Sequence, residues 1–188
     1  MDDPSVTVRE ELLRLSDHVA SRTLQRLAGL TDEEYWWSPV EGAWSARVED
    51  GRFVVDWAWP QPQPPPFTTL AWRAYHLMAC YAQPRNAEWL NLRPAEDPLA
   101  DRAAQPVDAA SAVALLERCQ QVWHGYVEAV DEVTLADPLG SKAGPYAEAT
   151  GADYVLHQID EQIHHGAEIG LLRDLYRARH GEGGAASG

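Results

Sequence analysis

Apolar positions recur at helical spacing in four long stretches of the chain and alternate in one short stretch. Residues 5 to 27 place Val8, Leu12, Leu15 and Val19 on one face of a helix that opens with a Thr7-x-x-Glu10 capping box. A second box, Thr31-x-x-Glu34, opens a turn that Pro39 and Gly42 break. In "WSARVEDGRFVVDWAW", Trp44, Ala46 and Val48 alternate with other residues, as do Phe53, Val55, Trp57 and Trp59. Asp50-Gly51 between these runs predicts a β-hairpin with a type I′ turn. The run "PQPQPPP", residues 60 to 66, suits neither helix nor sheet and predicts an extended connector.

The second helix starts at Thr68 or Thr69 as N-cap and runs through "LAWRAYHLMACYA", where Arg73 is the only charged residue, so burial nearly all round is expected. A Pro-punctuated loop precedes a third helix over residues 108 to 131, and a fourth runs from about residue 150 to 181. The expected fold class is therefore all-α: a four-helix bundle with a small β-hairpin insertion between helices 1 and 2. Long connections after the first two helices exclude simple up-and-down hairpins. Residues 1–180 are expected to form one domain, and residues 181–188, "GEGGAASG", a disordered tail.

Composition removes several function classes. A formal charge of -14 in 188 residues argues against nucleic acid and anionic membranes as partners. No apolar run approaches the roughly 18 residues of a membrane span. Cys80 and Cys119 are too few for a disulfide framework, and no secretory segment is visible, so the expected compartment is cytoplasmic. Five of the eight tryptophans, Trp36, Trp37, Trp44, Trp57 and Trp59, fall around the first connection. They are expected there either to pack the hairpin or to roof a pocket.

Candidate chemistry sits in the fourth helix, "HQIDEQIHHGAEIGLLRDLY", which carries His157, Glu161, His164, His165 and Glu168. Side chains four apart on a helix reach one ion, and two such pairs overlap: Asp160 with His164, and Glu161 with His165. The apolar face of Ile169, Leu172, Leu175 and Tyr176 puts Glu161, His165, His157 and Glu168 inward and the other pair at its edge. A hydrogen-bonded Glu161–His165 pair, or a solvated helix end, would also account for these residues. His76, nearly alone as a polar residue in the second helix, is either a hydrogen-bonded core histidine or the candidate third ligand. His76, Glu161 and His165 would then form a two-histidine, one-carboxylate set with a position left for water or substrate.

The order of these segments, from the first helix through "WWSPVEGAWS", "RVEDGRFVVDW" and "FTTLAWRAYHL" to "DEQIHHGAEIGLLRDLY", resembles the DinB-like superfamily over nearly the whole chain. It looks most like the branch of mycothiol-dependent maleylpyruvate isomerase and the thiol S-transferases. The resemblance implies an up-down-down-up bundle, often a homodimer, and a metal triad that falls on His76, Glu161 and His165. Glu161 stands where many members carry histidine, and the adjacent His164 leaves the register open by one residue.

The resemblance also implies a divalent metal ion, Zn²⁺ first and Ni²⁺, Fe²⁺ or Mn²⁺ next, that activates a low-molecular-weight thiol such as mycothiol against an electrophilic small molecule. His157, Glu168 or His124 would shuttle the proton. The other two readings are a metal-dependent hydrolase of a reactive electrophile and a metal-binding, stress-associated bundle without turnover.

Overall fold

The computed structural model describes residues 6–100 and 105–181, and it is mostly helical with one small hairpin. Seven α-helices are found among the described residues: α1 Val8–Leu27, α2 Asp32–Trp36, α3 Leu70–Ala82, α4 Arg85–Trp89, α5 Ala109–Ala129, α6 Glu132–Ala136 and α7 Gly151–His180. The four long ones are those expected. The sequence pattern predicts only turn or loop at the short α2, α4 and α6 and at a 3₁₀ segment, Ser141–Tyr146, because such short pieces cannot carry a periodic apolar stripe. The tail at 182–188 and the helix start before residue 6 lie outside the described residues.

Local chemistry explains the boundaries. Thr7, Thr31 and Thr150 each accept a hydrogen bond from the backbone three residues on, and Glu10, Glu34 and Asp153 accept one in return from the cap residue, closing three capping boxes. Thr69 caps α3 by accepting from Trp72 N. The hairpin pairs β1 Ala46–Glu49 with β2 Arg52–Val55 in the register Glu49↔Arg52. Asp50 and Gly51 both have positive φ, 49° and 71°, as a type I′ turn requires.

Side-chain contacts fix the run of the long helices. Ser16 meets Gln162 and Arg26 meets Asp174, so α1 and α7 run the same way. Arg9 meets Glu128 and Ser16 meets Trp123, so α5 opposes α1. Arg73 meets Glu168 and His76 meets Glu161, so α3 opposes α7. No residue of α3 is exposed, in line with its composition.

Two apolar faces differ from expectation. In α1 the buried stripe is Leu12, Ser16, Val19, Thr23 and Leu27, while Val8 and Leu15 are exposed. Ser16 is drawn in because its hydroxyl accepts Trp123 Nε1–H at 3.0 Å. Thr23 is drawn in because its hydroxyl turns back onto Val19 O and packs where Gly166 has no side chain. In α7, Leu175 is exposed and Arg173 is buried instead, held by Glu34.

The tryptophans separate into two groups. Trp37 packs on Tyr176 and His180 at the end of α7, and Trp36 on Tyr35. Trp44 stands between Trp57, just past the hairpin, and Trp72 of α3, and Trp59 is 86% exposed. The hairpin is tied to α3 by Trp44 N–H donating to Phe67 O, Thr69 N–H donating to Trp44 O, and Trp72 Nε1–H donating to Asp56 O at 2.8 Å.

Candidate metal centre

Opposed packing of α3 and α7 brings His76 against the turn that carries Glu161 and His165. Their ligating atoms lie within 4.8 Å of one another. Glu161 Oε2 is 3.2 Å from His76 Nε2 and 3.1 Å from His165 Nε2, and the two rings meet edge to face with centroids 4.6 Å apart. His165 is buried, His76 and Glu161 are half-buried. Between the adjacent histidines, it is His165 that turns toward His76, while His164 is exposed and bonds Glu168 Oε1 at 3.1 Å.

A further layer fixes the rings. His165 Nδ1 is 2.7 Å from Glu168 Oε2, and Arg73 Nε donates to the same oxygen at 2.9 Å. His76 lies flat against Trp72, with centroids 5.1 Å apart and planes 8° from parallel, and Trp72 is itself pinned by its bond to Asp56 O. Sequence reasoning singles out neither Arg73 nor Trp72 as a site residue. Both carry a visible signal, Arg73 as the lone charge of an apolar helix and Trp72 one turn from His76 on the same face.

The fit of a cation follows from the protons. A carboxylate only accepts, so the 2.7 Å contact makes Nδ1 of His165 the protonated nitrogen and leaves Nε2 of a neutral ring with its lone pair. Arg73 Nη1 also lies 3.1 Å from Nδ1, but the shorter contact to Glu168 decides the tautomer. The Nε2 lone pair then faces Glu161 Oε2, another acceptor. That contact needs either a second proton on His165 or a cation. Burial, and then the nearby His165, lower the pKa of His76 and favour a neutral ring there. Burial works against the charge of Glu161, yet the hydrogen bond from His76 and the charges of His165, His76 and His157 outweigh it and hold the carboxyl below its ordinary value. With the proton of a neutral His76 moved to Nδ1, two imidazole nitrogens and an ionised carboxylate are a donor set for a divalent ion.

Of the other candidate residues, Glu168 and Cys80 touch the histidines of this set, and His157 and His124 make no contact with them. His157 is exposed, four residues before Glu161. Glu168 serves His165, His164 and Arg73 as an acceptor. His124 faces α1, where it bonds Asp17 Oδ1 at 2.8 Å, so it does not line the site. His18 and His180 are exposed. Cys80 Sγ is 3.6 Å from His76 Nε2. Burial, with the charge of Glu161 added, pushes its thiol up to about 12.

Fold and site together describe a mostly helical protein with a two-histidine, one-carboxylate cluster between two of its long helices. The family comparison matches residues 16–169 to the DinB superfamily, and the chain belongs to that superfamily, which includes metal-binding members. No curated protein and no solved structure matches the chain. No helix among the described residues is long and apolar enough to cross a membrane.

Proposed function

We propose that the protein is a divalent-metal-dependent thiol S-transferase in which His76, Glu161 and His165 hold the ion and a low-molecular-weight thiol such as mycothiol attacks an electrophilic small molecule. The observation that carries this reading is the convergence of the three ligating atoms within 4.8 Å, at the flank of a groove that His76 also lines. Zn²⁺ suits the donor set, and Ni²⁺, Fe²⁺ and Mn²⁺ are the other candidates. The same reading takes the long helices as an up-down-down-up bundle, working in the cytoplasm as a homodimer.

A bound ion supplies the positive charge that favours the thiolate form of a thiol beside it. The chain's residues do the rest. Glu168 accepts a hydrogen bond from Nδ1–H of His165 and so keeps its Nε2 lone pair turned to the site, and Arg73 holds Glu168 in place. Trp72 sets the plane of the His76 ring. Glu168 is thereby committed to positioning, and the proton leaving the thiol passes to the exposed imidazole of His157. The reading takes the reacting thiol from outside the chain, as a co-substrate.

The test is elemental mass spectrometry on the wild type, His76→Ala and His165→Ala, followed by a thiol panel with monochlorobimane. About one divalent ion per chain, lost in both variants, with metal-dependent conjugation of one thiol, is expected. An ion without turnover would leave a metal-binding protein, consumption of the electrophile without thiol would mean a hydrolase, and no ion after reconstitution would overturn the reading.

A further inference from the structure

A second pair of metal-capable atoms stands beside the three that converge on the first site. His164 and Glu168 are one helical turn apart on α7, with His164 Nε2 3.1 Å from Glu168 Oε1. Two ligand atoms each about 2.1 Å from one ion, at an angle of roughly 95°, stand about 3.1 Å apart, so the observed spacing suits neighbouring ligands. The His164 side chain is 61% exposed, which gives an ion and its remaining waters a way in.

Both side chains are held before any ion arrives. Glu168 Oε2 accepts from His165 Nδ1–H at 2.7 Å and from Arg73 Nε–H at 2.9 Å, which leaves Oε1 turned to His164. The His164 ring packs edge to face on His165, with centroids 4.7 Å apart. A mobile surface pair gives up side-chain freedom on binding, and this pair has given up much of it already. His124 and Asp17 also pair, at 2.8 Å, but they come from different helices and have no third ligating group within 4.8 Å among the described residues. His164 and Glu168 have His165 as that third group.

Through His165 the second pair reaches the first site. Glu168 divides one carboxylate between His164 and His165, and His165 turns its other nitrogen to His76 and Glu161. A cation on Oε1 draws charge from the carboxylate and weakens it as the acceptor that orients His165. It also sets a second positive charge close to the first ion.

We propose that His164 and Glu168 bind a second divalent cation, completed by water, and that its arrival loosens the hold of His76, Glu161 and His165 on the first. The loosening rests on the metal-dependent reading above; the second site itself does not. With two protein ligands in place of three, the second ion is expected to bind about a thousandfold more weakly, so it fills only when metal is in excess.

The test titrates Zn²⁺ alone into wild type and His164→Ala, counting ions per chain by equilibrium dialysis and elemental mass spectrometry. Wild type is expected to take up one ion and then, at about a thousandfold higher free Zn²⁺, a second, whereas His164→Ala stops at one. Release of isotopically labelled zinc from the first site is expected to quicken about tenfold as the second step fills in wild type, and to keep its basal rate in His164→Ala. A tight step alone in wild type, a weak step that survives in His164→Ala, or a release rate indifferent to free Zn²⁺ would each overturn the proposal. A weak step lost in His164→Ala, with no tight step before it, would support the second site and overturn the metal-dependent reading together with the coupling that rests on it.

Discussion

Helix α7 brings two polar clusters toward the interior, eight residues apart, and they are built on opposite accounts of their protons. At Arg173, the guanidinium donates to both oxygens of Glu34, at 3.2 and 2.7 Å, and to the carbonyls of Arg26 and Ala28. Arg173 is 1% exposed and Glu34 5%, and every contact there joins a donor to an acceptor. At His165, the acceptor Oε2 of Glu161 faces a ring nitrogen whose proton has already been assigned to the other side. Both clusters contain opposite charges, so charge alone does not tell them apart. Completeness does: the first is finished by the chain itself, whereas the second is left open to a further proton or a cation.

The sharpest way to break this comparison is to remove one partner of the finished pair. Arg173→Met strands the buried carboxylate of Glu34 and is expected to cost about 3 to 5 kcal/mol in denaturant unfolding, whether or not metal is present. A cost below about 1 kcal/mol would mean that Glu34 finds another partner, Arg177 being the nearest candidate at 3.3 Å. The unfinished cluster should respond to the ion instead. Zn²⁺ at about 100 times its dissociation constant is expected to stabilise wild type by roughly 2.7 kcal/mol, and to leave Glu161→Gln unchanged in thermal unfolding. In chelator, Glu161→Gln is expected to differ from wild type by less than about 1 kcal/mol, because the carboxylate is partly solvated. A large loss in chelator would make Glu161 a structural partner of the histidines and erase the distinction.

Next in size is the layer behind the ligands. Glu168→Gln keeps the volume but weakens the acceptor that orients His165, so metal affinity is expected to fall about 10- to 100-fold in a competition assay against a chelating dye. Stability in chelator should change far less. Unchanged affinity would show that Glu168 serves Arg73 and His164 only.

The two clusters also differ in how far they can be read from the sequence. His76, Glu161 and His165 stand out, since few residues of those types fall on apolar helix faces and the i, i+4 spacing projects two of them together. The long helices are readable for the same reason, from period and capping boxes. Arg173 is not, because a single arginine in "LLRDLY" has the form of a solvated residue, and only the long-range approach of Glu34 from α2 makes burial tolerable. The errors at Leu15 and Leu175 share this origin. An average period places a stripe, but Ser16, Thr23 and Arg173 move it because partners within and beyond their own helices satisfy their polar atoms. The grouping of tryptophans likewise depends on where the chain folds back, which period and composition do not encode.

The smallest expected effect separates the clusters by pH, measured in chelator so that no ion intervenes. Burial opposes the charge of Glu34, but the hydrogen bond from Arg173, the backbone of Thr31 and the charges of Arg173 and Arg177 outweigh it, so its folded pKa lies below the ordinary value of 4.5. A depressed carboxylate contributes stability that is fully present above its unfolded pKa and is lost as pH falls through its folded pKa. The stability gap between wild type and Glu34→Gln should therefore be constant above about pH 5, shrink below about 4.5, and close beneath the depressed value. Urea unfolding at half-unit steps across that range reads the gap directly. A gap that persists unchanged to the lowest pH at which the protein folds would mean that Glu34 acts through its shape and the Thr31 capping box rather than through its charge. Arg173 would then be held by the carbonyls of Arg26 and Ala28, and the finished cluster would be a neutral acceptor nest around one cation.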